Sequence, residues 1–207
     1  MTSGPTVSDA AFWQRLYDQG SDRWELGRPS PSLGAHLARR PLPRGRVAVP
    51  GCGRGHDARL LTRHGHRVFG FDFVPEVIHA ARGLAERERV EVTFEDRDVF
   101  GLAKAYPCFF DGVWKYTCFC AIDPARRAEY VEVLAGILKP GGWLLACFFP
   151  MGEKPGGPPF AVSEAEVREI LDARFELVED YVPFASPEGR QGREWMVLAR
   201  LRGAASG

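Results

Sequence analysis

The sequence predicts an α/β fold, a mostly parallel sheet with helices packed on both faces. Three observations predict it. Strand-like and helix-like segments alternate from residue 46 onward. The first strand-like segment, Arg46–Pro50, ends in glycines that run straight into a helix-like segment. Acidic residues, Asp72 and Asp98, close the next two strand-like segments. In such sheets a ligand sits beyond the carboxyl ends of the strands, near the point where strand order reverses.

The elements follow in order. Ser8 reads as an N-cap, and Phe12, Trp13, Leu16 and Tyr17 follow at helical spacing until Gly20. Residues 20–29 are irregular and contain Trp24. Ser30-Pro31 opens a short helix to residue 39. Residues 1–40 thus read as a helical lid ahead of the sheet. Pro41, Pro43 and Gly45 then break the chain. Strands are expected at 46–50, 66–72, 90–94, 109–116 and 143–149, with helices at 56–64, 75–88 and 123–138. Lys139-Pro140-Gly141-Gly142 reads as a turn. A helix at 163–173 carries a capping box, Ser163 and Glu166. Strands at 175–182 and 194–201 flank the turn-rich stretch 186–192 and read as an antiparallel hairpin. No repeat and no linker divides the chain, so a single domain over 1–207 is expected.

Composition narrows the partners. Lys plus Arg and Asp plus Glu both number 27, which argues against nucleic-acid binding by a basic surface. No apolar run approaches a membrane span. Residues 1–9 lack a signal pattern, so the cytoplasm is the expected address. The five cysteines, 52, 108, 118, 120 and 147, show no paired spacing. Cys118 and Cys120 form a lone C-x-C, so no metal site is expected, and the thiols read as small packed residues in a reducing compartment.

The loop Gly51-Cys52-Gly53-Arg54-Gly55 allows a ligand close to the backbone. It departs from the G-x-G-x-x-G of dinucleotide sites and lacks a Walker lysine. Alone it leaves a ligand-free turn and an NAD site both open. Asp72, 21 residues after Gly51 and followed by Phe73, can accept both ribose hydroxyls. Asp98 or its backbone can reach an adenine edge. Together these favour S-adenosylmethionine, which has no phosphate to cradle. Trp13, Tyr17 and Trp24 add aromatic faces that attract a sulfonium cation once water is excluded. For Trp13 alone, docking of the helix on the sheet explains the residue better.

Tyr116 ends the fourth strand, at the active edge, with Lys115 on the opposite face. Arg127 falls in the first turn of the next helix, where the helix dipole disfavours a cation, a hint of an anionic partner. From spacing alone a solvated helix surface explains Arg126 and Arg127 better. The glycine- and proline-rich stretch 148–160 reads as a lid or a plain crossover. The histidines carry no ligand spacing.

These motifs occur together in one family order. Trp13, Tyr17 and Trp24 stand at W-x-x-x-[W/Y]-x(6)-W spacing. They are followed by Trp24-Glu-Leu-Gly-Arg-Pro-Ser-Pro31, Val49-Pro-Gly-Cys-Gly-Arg-Gly-His-Asp57, Gly70-Phe-Asp72 and Tyr116-Thr-Cys-Phe-Cys-Ala-Ile122. Leu138-Lys-Pro-Gly-Gly142 and Gly156-Gly-Pro-Pro-Phe-Ala-Val-Ser163 complete the series. Over nearly its whole length the chain resembles the thiopurine S-methyltransferase family, which includes bacterial members and plant thiol and halide methyltransferases.

The resemblance implies a Rossmann-like three-layer sandwich with a seven-stranded sheet whose last strand is antiparallel. It implies S-adenosylmethionine contacts at Trp13, Tyr17, Trp24, Gly51, Asp72, Asp98, Val99 and Tyr116, with Gly53 and Phe73 beside them in the loop and strand end. It implies that Arg127 serves the acceptor site, with Tyr116 orienting cofactor or nucleophile. Tyr17 replaces a tryptophan common in relatives. Lys115 replaces a common aspartate and is expected to favour a more anionic acceptor. The expected reaction is in-line methyl transfer to a small soft nucleophile by a monomer, without a strong protein base. An O- or N-methyltransferase and a catalytically silent cofactor-binding module are the alternatives.

Overall fold

The computed structural model describes residues 4–203. Residues 1–3 and 204–207, the outer ends of the expected domain and lid, lie outside them. Two helices precede the sheet, α1 (Ala10–Asp18) and α2 (Pro31–Arg39). Strands and helices then alternate as β1 (Arg46–Pro50), α3 (His56–Arg63), β2 (Arg67–Asp72), α4 (Pro75–Glu88) and β3 (Thr93–Asp96). A 3-10 turn at Val99–Gly101 leads into the single turn α5 (Leu102–Ala105) and β4 (Phe110–Tyr116). After a second 3-10 turn, Pro124–Arg126, come α6 (Arg127–Ile137), β5 (Leu138–Phe148), α7 (Glu164–Asp172), β6 (Phe175–Tyr181) and β7 (Trp195–Leu201).

The seven strands lie in the order β3-β2-β1-β4-β5-β7-β6. β1 to β5 run parallel, while β7 runs antiparallel to both β5 and β6. The chain steps outward from β1 in one direction through β2 and β3, and in the other through β4 and β5. Strand order therefore reverses between β1 and β4, which opens a crevice at their carboxyl ends.

Side chains alternate across the sheet. Val47, Val49, Trp114 and Leu145 pack on the face covered by α2, α3 and α4. Ala48, Val113, Leu144 and Phe148 pack on the face covered by α5, α6 and α7. A third, smaller cluster joins Trp13 of α1 to Val74 and Val77 at the start of α4. The expected lid thus divides. Leu33 and Leu37 of α2 belong to a main core, and only the chain before Ser30 roofs the crevice.

Three boundaries differ from the sequence reading. Asp9 rather than Ser8 caps α1, its carboxylate turned back to the Thr6 N–H at 2.7 Å. β3 begins at Thr93, because as an edge strand it has only β2 to set its register. The expected turn at 139–142 lies inside β5, where Leu138 pairs with Phe110 across a bulge and Gly141 takes φ +74°.

Candidate active site

A cavity of about 850 Å³ opens at the carboxyl ends of β1, β2 and β4, beneath the N-terminal roof. Gly51 and Gly53, at φ +62° and +52°, turn the chain out of β1. A Cβ at Gly51 would lie 2.8 Å from the Cys118 Sγ, so only glycine leaves this floor open. Asp72 ties the loop to the end of β2, since its Oδ2 accepts from the Gly53 N–H at 3.0 Å and its Oδ1 from the Val74 N–H at 3.2 Å. Burial pushes the Asp72 carboxyl up to about 6, against the pull of the Gly53, Val74 and Phe73 amides. A carboxylate desolvated in this way, with lone pairs to spare, suits a ligand that brings hydroxyl donors. Asp98 and Val99 continue the rim, Asp98 capping the 3-10 turn through the Phe100 N–H at 3.0 Å.

The roof is aromatic. Trp24 meets Trp13 edge-on at 5.4 Å and Tyr17 at 5.3 Å, and its Nε1 donates to the Tyr17 hydroxyl at 3.1 Å. Arg54, beside the glycine loop, lies 5.1 Å from the Tyr17 ring and pairs with Asp22 at 2.6 Å and Glu25 at 3.0 Å. Glu25 also takes His56 at 3.1 Å, and although burial opposes it, these bonds hold its carboxyl down at about 2. The roof is anchored at Ser30, whose N–H donates to Asp57 at 2.6 Å. The other Asp57 oxygen accepts from Trp114 Nε1 at 2.8 Å.

The structure gathers the expected cofactor residues around one space. Trp13, Tyr17, Trp24, Gly51 and Gly53 line it from the roof and the loop. Asp72, Phe73, Asp98, Val99 and Tyr116 line it from the strand ends. This donor set fits S-adenosylmethionine: open glycine backbone, an unsated buried carboxylate, and aromatic faces for a sulfonium. Among the described residues, no cluster of three His, Cys, Asp or Glu has metal-site geometry.

Two expectations about acceptor residues are corrected. Arg127 does not line the cavity. It is buried on the α6–α7 side, where Nη1 meets both Glu166 oxygens at 2.7 and 2.8 Å and Nη2 meets the Ala161 carbonyl at 3.1 Å. The 3-10 turn ahead of α6 sets the phase, so Arg126 faces the cavity and Arg127 faces the core. The capping box is half formed for the same reason: Ser163 accepts from the Glu166 N–H at 3.2 Å, while the Glu166 carboxylate goes to Arg127. Lys115 also lies outside the cavity, its Nζ 3.0 Å from the Cys147 carbonyl and 3.6 Å from the Phe148 ring centre. It carries no charge to the acceptor.

Sequence reasoning missed Arg190 and Glu194. Arg190 lines the cavity and donates from Nη1 to the Tyr116 hydroxyl at 2.6 Å, with its guanidinium 4.9 Å from the Phe149 ring. The Tyr116 hydroxyl in turn donates to Glu194. Arg190 comes from the stretch between β6 and β7, which the sequence marks only as a hairpin connection, and Glu194 from the first position of the expected last strand, where the sequence carries no sign of its contact. The insertion of β7 beside β5 brings them to the site.

The comparisons agree with this geometry. Thirty-three per cent of 162 aligned residues match probable thiol methyltransferase 2 of Arabidopsis thaliana, covering 77% of this chain and 70% of that protein. Identity to a thiopurine S-methyltransferase of Legionella pneumophila is 29%, over 75% of this chain and 77% of that one. The fold is shared with the Burkholderia thailandensis 1,6-didemethyltoxoflavin-N1-methyltransferase, solved with bound S-adenosylhomocysteine, at a TM-score of 0.74 and 23% identity over 97% of this chain and 93% of that one. The family model for thiopurine S-methyltransferase matches residues 8–196. The chain therefore belongs to the thiopurine S-methyltransferase family and is an S-adenosylmethionine-dependent methyltransferase.

Proposed function

We propose that this enzyme methylates a small soft nucleophile: a thiol, thiopurine, halide, thiocyanate or selenium compound. The observation that carries the reading is Arg190, a guanidinium held on Tyr116 and Phe149 in the cavity wall. A cation in such a wall draws a polarisable anion out of water, and the aromatic roof keeps water from following. The cofactor supplies an electrophilic methyl carbon on a sulfonium when bound. Asp72, with Gly51 and Gly53, holds the ribose end. Trp13, Tyr17 and Trp24 cover the site, and Tyr116 with Arg190 faces the acceptor. Catalysis rests on positioning and exclusion of water.

The relatives named above support the same class, since they are thiol and thiopurine methyltransferases. In this reading the described residues before Ser30 act as the lid of a single domain, a shorter lid than the 1–40 that the sequence suggests. In the same reading the enzyme works as a cytoplasmic monomer on a small molecule. Among the described residues no helix is long and apolar enough to cross a membrane.

The test is methyl transfer from labelled S-adenosylmethionine to thiols, iodide and thiocyanate, alongside calorimetry with S-adenosylhomocysteine. Transfer to at least one of these acceptors is expected. Tight cofactor binding with no transfer to any of them would overturn the reading.

A further inference from the structure

Tyr116 lines the cavity, and a carboxylate that does not line it stands behind the phenol. Glu194, immediately before β7, is 1% exposed. Its Oε1 accepts the Tyr116 hydroxyl, and its Oε2 is buried without a hydrogen-bond partner. Arg190 donates to the Tyr116 oxygen from the other side at 2.6 Å. The phenol thus gives its one proton to Glu194 and accepts from Arg190, which leaves one lone pair for a further donor.

The groups that face Glu194 are few. Tyr116 comes from β4, Cys147 from β5, and Ser186 and Arg190 from the connection to β7. Burial pushes the Tyr116 phenol and the Cys147 thiol far above their ordinary values, and the Glu194 charge adds to both. Both therefore keep their protons at neutral pH. Arg190 stays charged. Burial also raises the Glu194 carboxyl, although Tyr116, Ser186 and Arg190 pull it back. Glu194 is the base of this set.

We propose that Glu194 accepts the proton of thiol acceptors through the Tyr116 hydroxyl. This rests on reading the cavity as the acceptor site. The thiol proton passes to the free lone pair of the Tyr116 oxygen, and the phenol's own proton passes to Glu194. The S–H bonding pair stays on sulfur, so one negative charge moves from Glu194 to sulfur and nothing else is consumed. Arg190 faces the charge where it develops. When the product leaves, the proton returns to water by the same path.

The gain is confined to acceptors that carry a proton. A thiol of pKa near 8.5 is only about 3% ionised at pH 7, so the relay is worth up to roughly 30-fold. Iodide carries no proton and gains nothing.

The test compares wild type with Glu194→Gln, which keeps the shape and an acceptor for Tyr116. The readout is the ratio of kcat/KM for 2-mercaptoethanol to kcat/KM for iodide between pH 5 and 9. The ratio at pH 7 is expected to fall about tenfold or more, with the variant's thiol rate then following bulk thiol ionisation. In wild type the acid limb of the thiol-to-iodide ratio, in which effects common to both acceptors cancel, should match the carboxyl pKa found by infrared titration of the cofactor-free protein, through the band that Glu194→Gln removes. An unchanged ratio, an equal fall for both acceptors, or a variant whose thiol-to-iodide ratio keeps the wild-type midpoint would overturn the relay. A wild type that binds S-adenosylhomocysteine but methylates neither acceptor would overturn the acceptor reading itself.

Discussion

Arg127 grips Glu166 with one nitrogen on two oxygens, at 2.7 and 2.8 Å, beneath the sheet and away from the cavity. This pairing makes Arg127 a structural residue. Arg127→Ala should cost about 2 kcal/mol, because it leaves the Ala161 carbonyl without its partner, while the part-exposed Glu166 carboxylate regains water. Urea unfolding measures the loss. The folded fraction should keep its acceptor KM, whereas Arg190→Ala should raise it. A higher KM at unchanged stability in Arg127→Ala would return the residue to the acceptor site.

Lys115 has no carboxylate partner, and burial lowers its pKa to about 8. The unfolded chain holds this proton up to about 10.4. Between those values the unfolded state binds more protons, so Lys115's own contribution to stability rises with pH. Below pH 8 the buried ammonium is a burden of roughly 3 kcal/mol. Lys115→Met should therefore be more stable than wild type at pH 7, with the advantage shrinking by pH 10. Denaturant midpoints across this range test it. An advantage that does not change with pH would refute the titration.

Burial holds the Asp72 carboxyl up at about 6. Its ionised form accepts hydroxyl donors best, so cofactor binding should weaken as pH falls through 6. The dissociation constant is expected to rise by up to about tenfold per pH unit below that point. Asp72→Asn should bind more weakly at pH 7 and lose this dependence. Calorimetry with S-adenosylhomocysteine at pH 5 and 7 reads both effects.

Asp57 serves two donors, the Ser30 amide and the Trp114 indole. Asp57→Asn turns one of its acceptor atoms into a donor facing a donor. The expected cost is about 2 kcal/mol, or roughly 4–8 °C in Tm at this chain length. The roof loses its anchor with it, so cofactor release in stopped flow should quicken.

Much of the site was legible because its parts are local. The glycine loop and Asp72 are strand-end features, and neighbours in sequence fix their surroundings. Trp13, Tyr17 and Trp24 fall within one helix and its following loop, so their spacing alone suggested a shared face. Arg126 and Arg127 were not separable, because a single 3-10 turn decides which of two adjacent side chains faces the cavity. The Lys115 environment depends on Phe148 of another strand. Arg190 and Glu194 lie 74 and 78 residues from Tyr116, and no local pattern reports a contact made by strand insertion. The β3 start and the kink in β5 were missed for a related reason: cross-strand partners set both.

The place of β7 between β5 and β6 also has a consequence for the birth of the enzyme. A ribosome releases the chain from its N-terminus. The roof, the glycine loop, Asp72 and Tyr116 all emerge before Arg190 and Glu194 do. The residues that line the glycine-loop end of the cavity are therefore made long before the two that flank the Tyr116 hydroxyl. The last strand to be made is the one that sets the final side of the cavity in place.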